Sequence, residues 1–129
     1  MASKSLKVTT IEQGQHSGIK SRWMTALKRK ADWQELWNKH TSNQHPQPPL
    51  PKIDFKKEMV IAVFPGGHTS GGYSVHITNV EATRTGIEVT YKHMGSGGIG
   101  GGVTTALSEP FHIVRVKTSK KSVNFIADE

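Results

Sequence analysis

Apolar residues fall along this chain in two registers. Met59-Val-Ile-Ala-Val-Phe64 is unbroken, the pattern of a strand covered on both faces. Tyr73-Ser-Val75-His-Ile77-Thr78 alternates, as does the stretch where Ile87, Val89 and Tyr91 are interleaved with Glu88, Thr90 and Lys92. A period of two predicts strands with one wet face, over about 73–81 and 86–93, with Ala82–Gly86 as the turn. Further strands are predicted over about 110–117 and 122–126, joined through Thr118–Lys121. Upstream, residues 6–12 suggest an edge strand, Gly14–Gly18 a polar turn, and Ile19–Leu27 a second strand.

One segment changes period. Trp33, Leu36, Trp37 and His40 stand at i, i+3, i+4 and i+7, so three apolar side chains share one helical face. Asp32 suits an N-cap and Glu35 completes a capping box, predicting a helix over about 32–41. At this spacing the tryptophans read as a face covering a sheet rather than as a ligand platform. The segment His45-Pro-Gln-Pro-Pro-Leu-Pro51 cannot be helical, because proline removes donors and pushes its predecessor into extended geometry. It reads as a stiff crossing from the helix to the central strand rather than as an SH3-type ligand. The expected class is therefore mainly β: a small antiparallel sandwich or barrel with one helix, from the N-terminal half, packed on the sheet. Residues 1–129 form a single domain whose core strands run from about 58 to 126.

Composition narrows the function. The chain has 129 residues and no cysteine, which removes disulfides, thiolate zinc sites and cysteine nucleophiles. No apolar stretch approaches the roughly 20 residues of a membrane-spanning helix. Met1–Leu6 shows no apolar core of a signal peptide. The formal charge of +7 is uneven along the sequence. Its excess lies within residues 1–57, chiefly at Lys28, Arg29, Lys30, Lys56 and Lys57, whereas residues 58–129 balance. This cluster defines an alternative function, a basic surface for a polyanion such as nucleic acid. Nucleic acid is the weaker expectation, because the aromatics fall in apolar registers rather than among the basic residues.

Two glycine-rich segments carry the leading hypothesis. Pro65, Gly66, Gly67, Gly71 and Gly72 sit between two strong strands, and Met94–Gly102 is richer still. The second lacks the Gly-Lys-Ser/Thr ending of a phosphate loop and no helical pattern follows it. Loops on a rigid β scaffold are where binding concentrates. Exposed amides there are suited to pairing with a partner strand, with side-chain pockets for specificity. The expected partner-binding residues are His68, Thr69, Ser70, Gly71, Gly72 and Tyr73, with Ser96 and Ile99 opposite. His76, His93 and His112 lie in or beside strands, with His76 and His112 in the polar alternation of theirs. They raise a metal-binding alternative, yet no His-Glu-x-x-His spacing exists. No serine sits in a strand–turn–helix elbow and no carboxylate pair is marked for acid–base work. We expect no catalytic residue, no metal and no cofactor: a protein-interaction module rather than an enzyme, of open oligomeric state.

With these blocks placed, the chain resembles the C-terminal domain of the PrcB family, bacterial protease complex subunits. The resemblance is carried by Trp33–Trp37, by Pro51-Lys-Ile-Asp54-Phe55 with Met59–Phe64, by Gly66–Ile77, and by Pro110-Phe-His112-Ile-Val114-Arg-Val. Their order and spacing match over roughly residues 15–126. The resemblance implies an accessory protein that accompanies or stabilises an exported protease, with no catalytic residues of its own. It also implies a cell-envelope setting.

Overall fold

The computed structural model describes residues 3–66, 74–94 and 109–128. In chain order these form β1 (Lys4–Ser5), β2 (Thr9–Gly14), β3 (Trp23–Leu27), α1 (Lys30–His40), β4 (Glu58–Phe64), β5 (Ser74–Ala82), β6 (Ile87–Met94), β7 (Phe111–Lys117) and β8 (Val123–Ala127). Two four-stranded sheets result, ordered β1-β5-β6-β8 and β2-β7-β4-β3. They pack face to face as an open sandwich rather than a closed barrel, and α1 covers the outer face of the second sheet.

The unbroken run in β4 explains the three layers. Met59, Ile61 and Val63 point between the sheets, where they meet Val75, Ile77, Val80, Val89 and Tyr91. Val60, Ala62 and Phe64 point the other way, onto Trp33, Leu36 and Trp37 of the helix. All six are 0% exposed. A strand with water on either face could not carry six apolar residues in succession. The alternating strands β5 and β6 line the first sheet, which is covered on one face only.

The helix starts earlier than its capping signal suggests. Lys30 is its first residue, and Arg29 stands at the N-cap with no side-chain cap bond. Asp32 lies inside the first turn, where its carboxylate takes the Arg29 Nε–H at 3.0 Å. Glu35 is turned to Lys39, 3.5 Å away, instead of back to the helix start. Carboxylates in the first turn still favour the positive end of the helix dipole, so the acidic signal is real while its capping role is not. The tryptophans are core, as the spacing predicts, and they also fasten the proline-rich crossing. Trp33 Nε1–H donates to Pro51 O at 2.9 Å and Trp37 Nε1–H to Pro48 O at 3.0 Å.

Two strand expectations need correction. The edge strand expected over 6–12 begins later and runs further, as β2 (Thr9–Gly14) paired with β7, while the two-residue β1 that precedes it pairs with β5 in the other sheet. Leu6 and Val8 pack against the sandwich core at the crossing between them. The sandwich is also not wholly antiparallel, because β8 runs parallel to β6. The turn after β7 is a corner that changes sheet, so β7 and β8 never share a ladder and β8 arrives alongside β6 in the same direction.

Replacing Ile61 by alanine removes a central knob from a layer that has no room to collapse. A loss of about 2–5 kcal/mol in unfolding free energy is expected, read from urea denaturation at constant slope.

Candidate partner-binding end

Strand register gathers the flanks of both glycine-rich segments. Val63 near the end of β4 stands opposite His112 at the start of β7. Ser74 at the start of β5 stands opposite Met94 at the end of β6. The two sheets are joined at this level by the Ile77 N–H, which donates to His112 Nδ1 at 2.9 Å, and by Gln13 Nε2, which donates to Val75 O at 2.9 Å. Gly66, Ser74, Met94 and Glu109 therefore lie at one end of the sandwich. The expected binding residues His68, Thr69, Ser70, Gly71, Gly72, Tyr73, Ser96 and Ile99 all lie outside the described residues.

Gly66 has a reason to be glycine. Its φ is +111°, a region closed to most side chains, and it passes beside the backbone of Arg22. Next to it, residues 18–23 and the end of α1 enclose an open groove of about 680 Å³. Trp23 lies in its wall, with Lys39 Nζ 5.7 Å from the ring centre, a cation–π distance. Arg22 reaches across to the Tyr91 hydroxyl at 3.3 Å.

Beneath the groove lies a serine–histidine–carboxylate chain that the sequence did not disclose. His40, the fourth member of the apolar helical stripe, is 0% exposed. Its ring is edge-on to Phe111 at 4.3 Å and tilted against Trp37 and Phe64. Ser17 Oγ lies 2.8 Å from Nδ1 and Glu12 Oε1 lies 2.6 Å from Nε2. The geometry is satisfied with Ser17 donating to Nδ1 and Nε2–H donating to the carboxylate, while Ser17 Oγ accepts the Ile19 N–H at 3.0 Å. A nucleophile must be reachable by substrate. Ser17 is 0% exposed, so this chain is a structural bracket from β2, through the 17–19 turn, to the helix. The bracket is closed by Gly18, whose N–H donates to His40 O at 2.8 Å and so satisfies a carbonyl at the helix end. A Cβ on Gly18 would stand 2.4 Å from Lys39 O and from Ser42 Oγ. An apolar-stripe histidine is the signal that could have pointed to this bracket; nothing in the sequence marked Ser17 or Glu12 as its partners.

His112 also departs from expectation. It occupies the buried alternation of β7, not the polar one, and is 5% exposed. Its Nδ1 is taken by Ile77 N–H and its Nε2 lies 2.9 Å from Thr10 Oγ1, so both ring nitrogens are engaged. Burial, reinforced by the neighbouring His76, lowers its pKa to about 4. His76 itself is exposed, with its ring 6.2 Å from that of His112 and its Nδ1 3.0 Å from Gln13 Nε2. Among the described residues no group of three or more His, Asp or Glu side chains is arranged to hold a metal ion.

The basic residues sit elsewhere. Lys28, Arg29, Lys30, Lys56 and Lys57 flank the end of β3 and the start of β4, the opposite end of the sandwich.

Residues 59–117 match the PrcB C-terminal family. The match covers β4 through β7, the part of the chain that supplies the sandwich core and both glycine-rich segments, and is narrower than the span of 15–126 suggested by the blocks. No curated protein and no solved structure matches the chain. No described helix is long and apolar enough to cross a membrane.

Two measurements check these assignments. Gly18→Ala should lower stability by about 1–3 kcal/mol, through overpacking at the helix end, in thermal or urea unfolding. For His112, the unfolded chain binds a proton below its ordinary pKa of 6.5 while the folded chain resists it down to about 4. The stability this supplies is complete above pH 6.5 and is lost as pH falls toward 4, amounting to about 3 kcal/mol. His112→Gln cannot acquire the charge. It should be less stable at neutral pH and should show a shallower decline than the parent over that window.

Proposed function

We propose that this domain is a non-enzymatic accessory module of a protease complex that engages its protein partner through the glycine-rich end of the sandwich. The observation that carries this reading is the family match over residues 59–117. The register supports it, since it puts the flanks of both glycine-rich segments at one end of a rigid scaffold, where loops from separate strands can act on one partner. The buried state of Ser17 supports the non-enzymatic part, because the histidine–serine–carboxylate chain is closed to substrate. His68, Thr69, Ser70, Gly71, Gly72, Tyr73, Ser96 and Ile99 are the residues we assign to contact, by pairing with an extended segment of the partner.

The test is affinity capture by the tagged full chain from cells that naturally make it, washed at high salt. Retention of a protease or of a subunit bound to one is the expected result. A Gly71→Val/Gly72→Val variant that melts at the parent's temperature should lose it. Equal retention by that variant would remove the glycine-rich end from the interface. Recovery of no protease component through the high-salt wash would overturn the accessory role.

A further inference from the structure

The charge of this chain is gathered at one end of the sandwich, and the fold does what the sequence order conceals. Contacts to backbone carbonyls tie together the turns opposite the glycine-rich end. Lys28 Nζ–H donates to Lys121 O at 2.8 Å, Lys121 Nζ–H to Thr83 O at 2.6 Å, and Thr118 N–H to Lys57 O at 2.9 Å. β1 adds Lys4 beside Ala82. The C-terminal half, neutral by itself, thus contributes Arg84, Arg115, Lys117, Lys120 and Lys121, against Glu58, Glu81 and Glu88, to the end that already holds Lys28–Lys30 and Lys56–Lys57. Away from it, Lys20, Arg22, Lys39 and Lys92 are balanced in number by Glu12, Glu35, Glu109 and Asp128. Nearly all of the formal excess of +7 therefore collects at this end.

Much of that charge is uncommitted. Arg29 pairs with Asp32, and Arg115 forks onto both oxygens of Glu58 at 2.9 and 2.7 Å. Lys30, Lys56, Lys57 and Lys120 are exposed and have no carboxylate partner among the described residues. A recess of about 510 Å³ opens among Lys4, Lys7, Lys57 and Lys117.

We propose that this basic end docks the domain onto an anionic phospholipid surface. Two features favour a membrane over nucleic acid. The free cations are almost all lysines, point charges on flexible stems that suit laterally mobile phosphate headgroups, while two of the three arginines here are held by carboxylates. Nucleic-acid binding draws on aromatic stacking or arginine forks, and among the described residues no exposed aromatic stands at this end; the exposed large hydrophobic side chain is Ile126. The recess, whose four lysines outnumber the one carboxylate in its wall, Glu58, already paired with Arg115, is of a size to admit a phosphate headgroup. Attraction of this kind acts within a Debye length, about 10 Å at 0.1 M salt. Docked in this way, the end bearing Gly66, Ser74, Met94 and Glu109 faces away from the surface. The inference does not depend on the protease-complex reading.

Cosedimentation of the full chain with phosphatidylcholine vesicles, with and without phosphatidylglycerol, at low and high salt, tests it. Binding is expected only to the phosphatidylglycerol vesicles and only at low salt. A Lys30→Glu/Lys56→Glu/Lys120→Glu variant should bind them at least about tenfold more weakly, while Lys20→Glu/Lys39→Glu/Lys92→Glu, with the same change in net charge, binds as the parent does. Equal weakening by the two variants would assign the effect to net charge and overturn the proposal. So would failure to bind the anionic vesicles at low salt, or tighter binding to duplex DNA than to the vesicles in the same buffer.

Discussion

Burial of β4 on both faces is the constraint from which the rest of this structure follows. One strand whose odd residues serve the sandwich and whose even residues serve the helix layer must lie in the interior of a sheet, between β7 and β3. It also obliges the chain to supply a cover, and α1 with its two tryptophans is that cover. The indole N–H groups then need acceptors once buried. The proline-rich crossing provides them through Pro48 O and Pro51 O, carbonyls that no helix or ladder would otherwise use. The order Trp-rich helix, proline segment, apolar strand is thus one packing solution rather than three separate features.

That cover has a weak point at its C-terminal end, where helix carbonyls and a histidine are taken out of water together. An imidazole among Phe64, Phe111 and Trp37 would be costly without partners on both nitrogens. Ser17 and Glu12 supply them from two different segments. The same turn brings Gly18 N–H to the His40 carbonyl, so satisfying a buried polar side chain and ending a helix are accomplished by a single approach of backbone. That closeness is why the position beside Ser17 lacks a side chain. It also accounts for a serine–histidine–carboxylate arrangement whose serine and imidazole have the burial of a core.

Periodicity disclosed those parts of the fold where one residue's environment repeats. Strands β4 to β8 and the helix were legible to within a residue or two because their patterns run for five residues or more. What escaped was set by partners distant in sequence. Asp32 has the local signature of a cap, but Arg29 claims its carboxylate. His112 looks polar by type and occupies a core register, since its nitrogens find Ile77 N–H and Thr10 Oγ1 across the sandwich. The parallel β6–β8 pair and the placing of β1 and β2 in different sheets depend on which sheet the chain enters after a turn, and no local pattern encodes that choice. The family resemblance was visible from its blocks, although the match proper runs from β4 to β7.

Charge shows the same limit most plainly. Counted along the sequence, the excess belongs to the first half and the second half is neutral. Folded, the second half divides: Glu109 and Asp128 stay away from the lysine end, where Arg84, Arg115, Lys117, Lys120 and Lys121 outnumber Glu58, Glu81 and Glu88. Turns at one end of a sandwich come from strand ends of alternating direction, so each such end samples the whole sequence at intervals of one strand pair. A basic residue repeated at those intervals is invisible as a cluster until the strands are paired. The two ends of this domain are consequently distinct in chemistry, one bearing the flanks Gly66, Ser74, Met94 and Glu109 and one rich in lysine, with a close-packed core between them. A scaffold with that separation can hold one surface with charge and present another for a partner, without either interaction altering the fold between them.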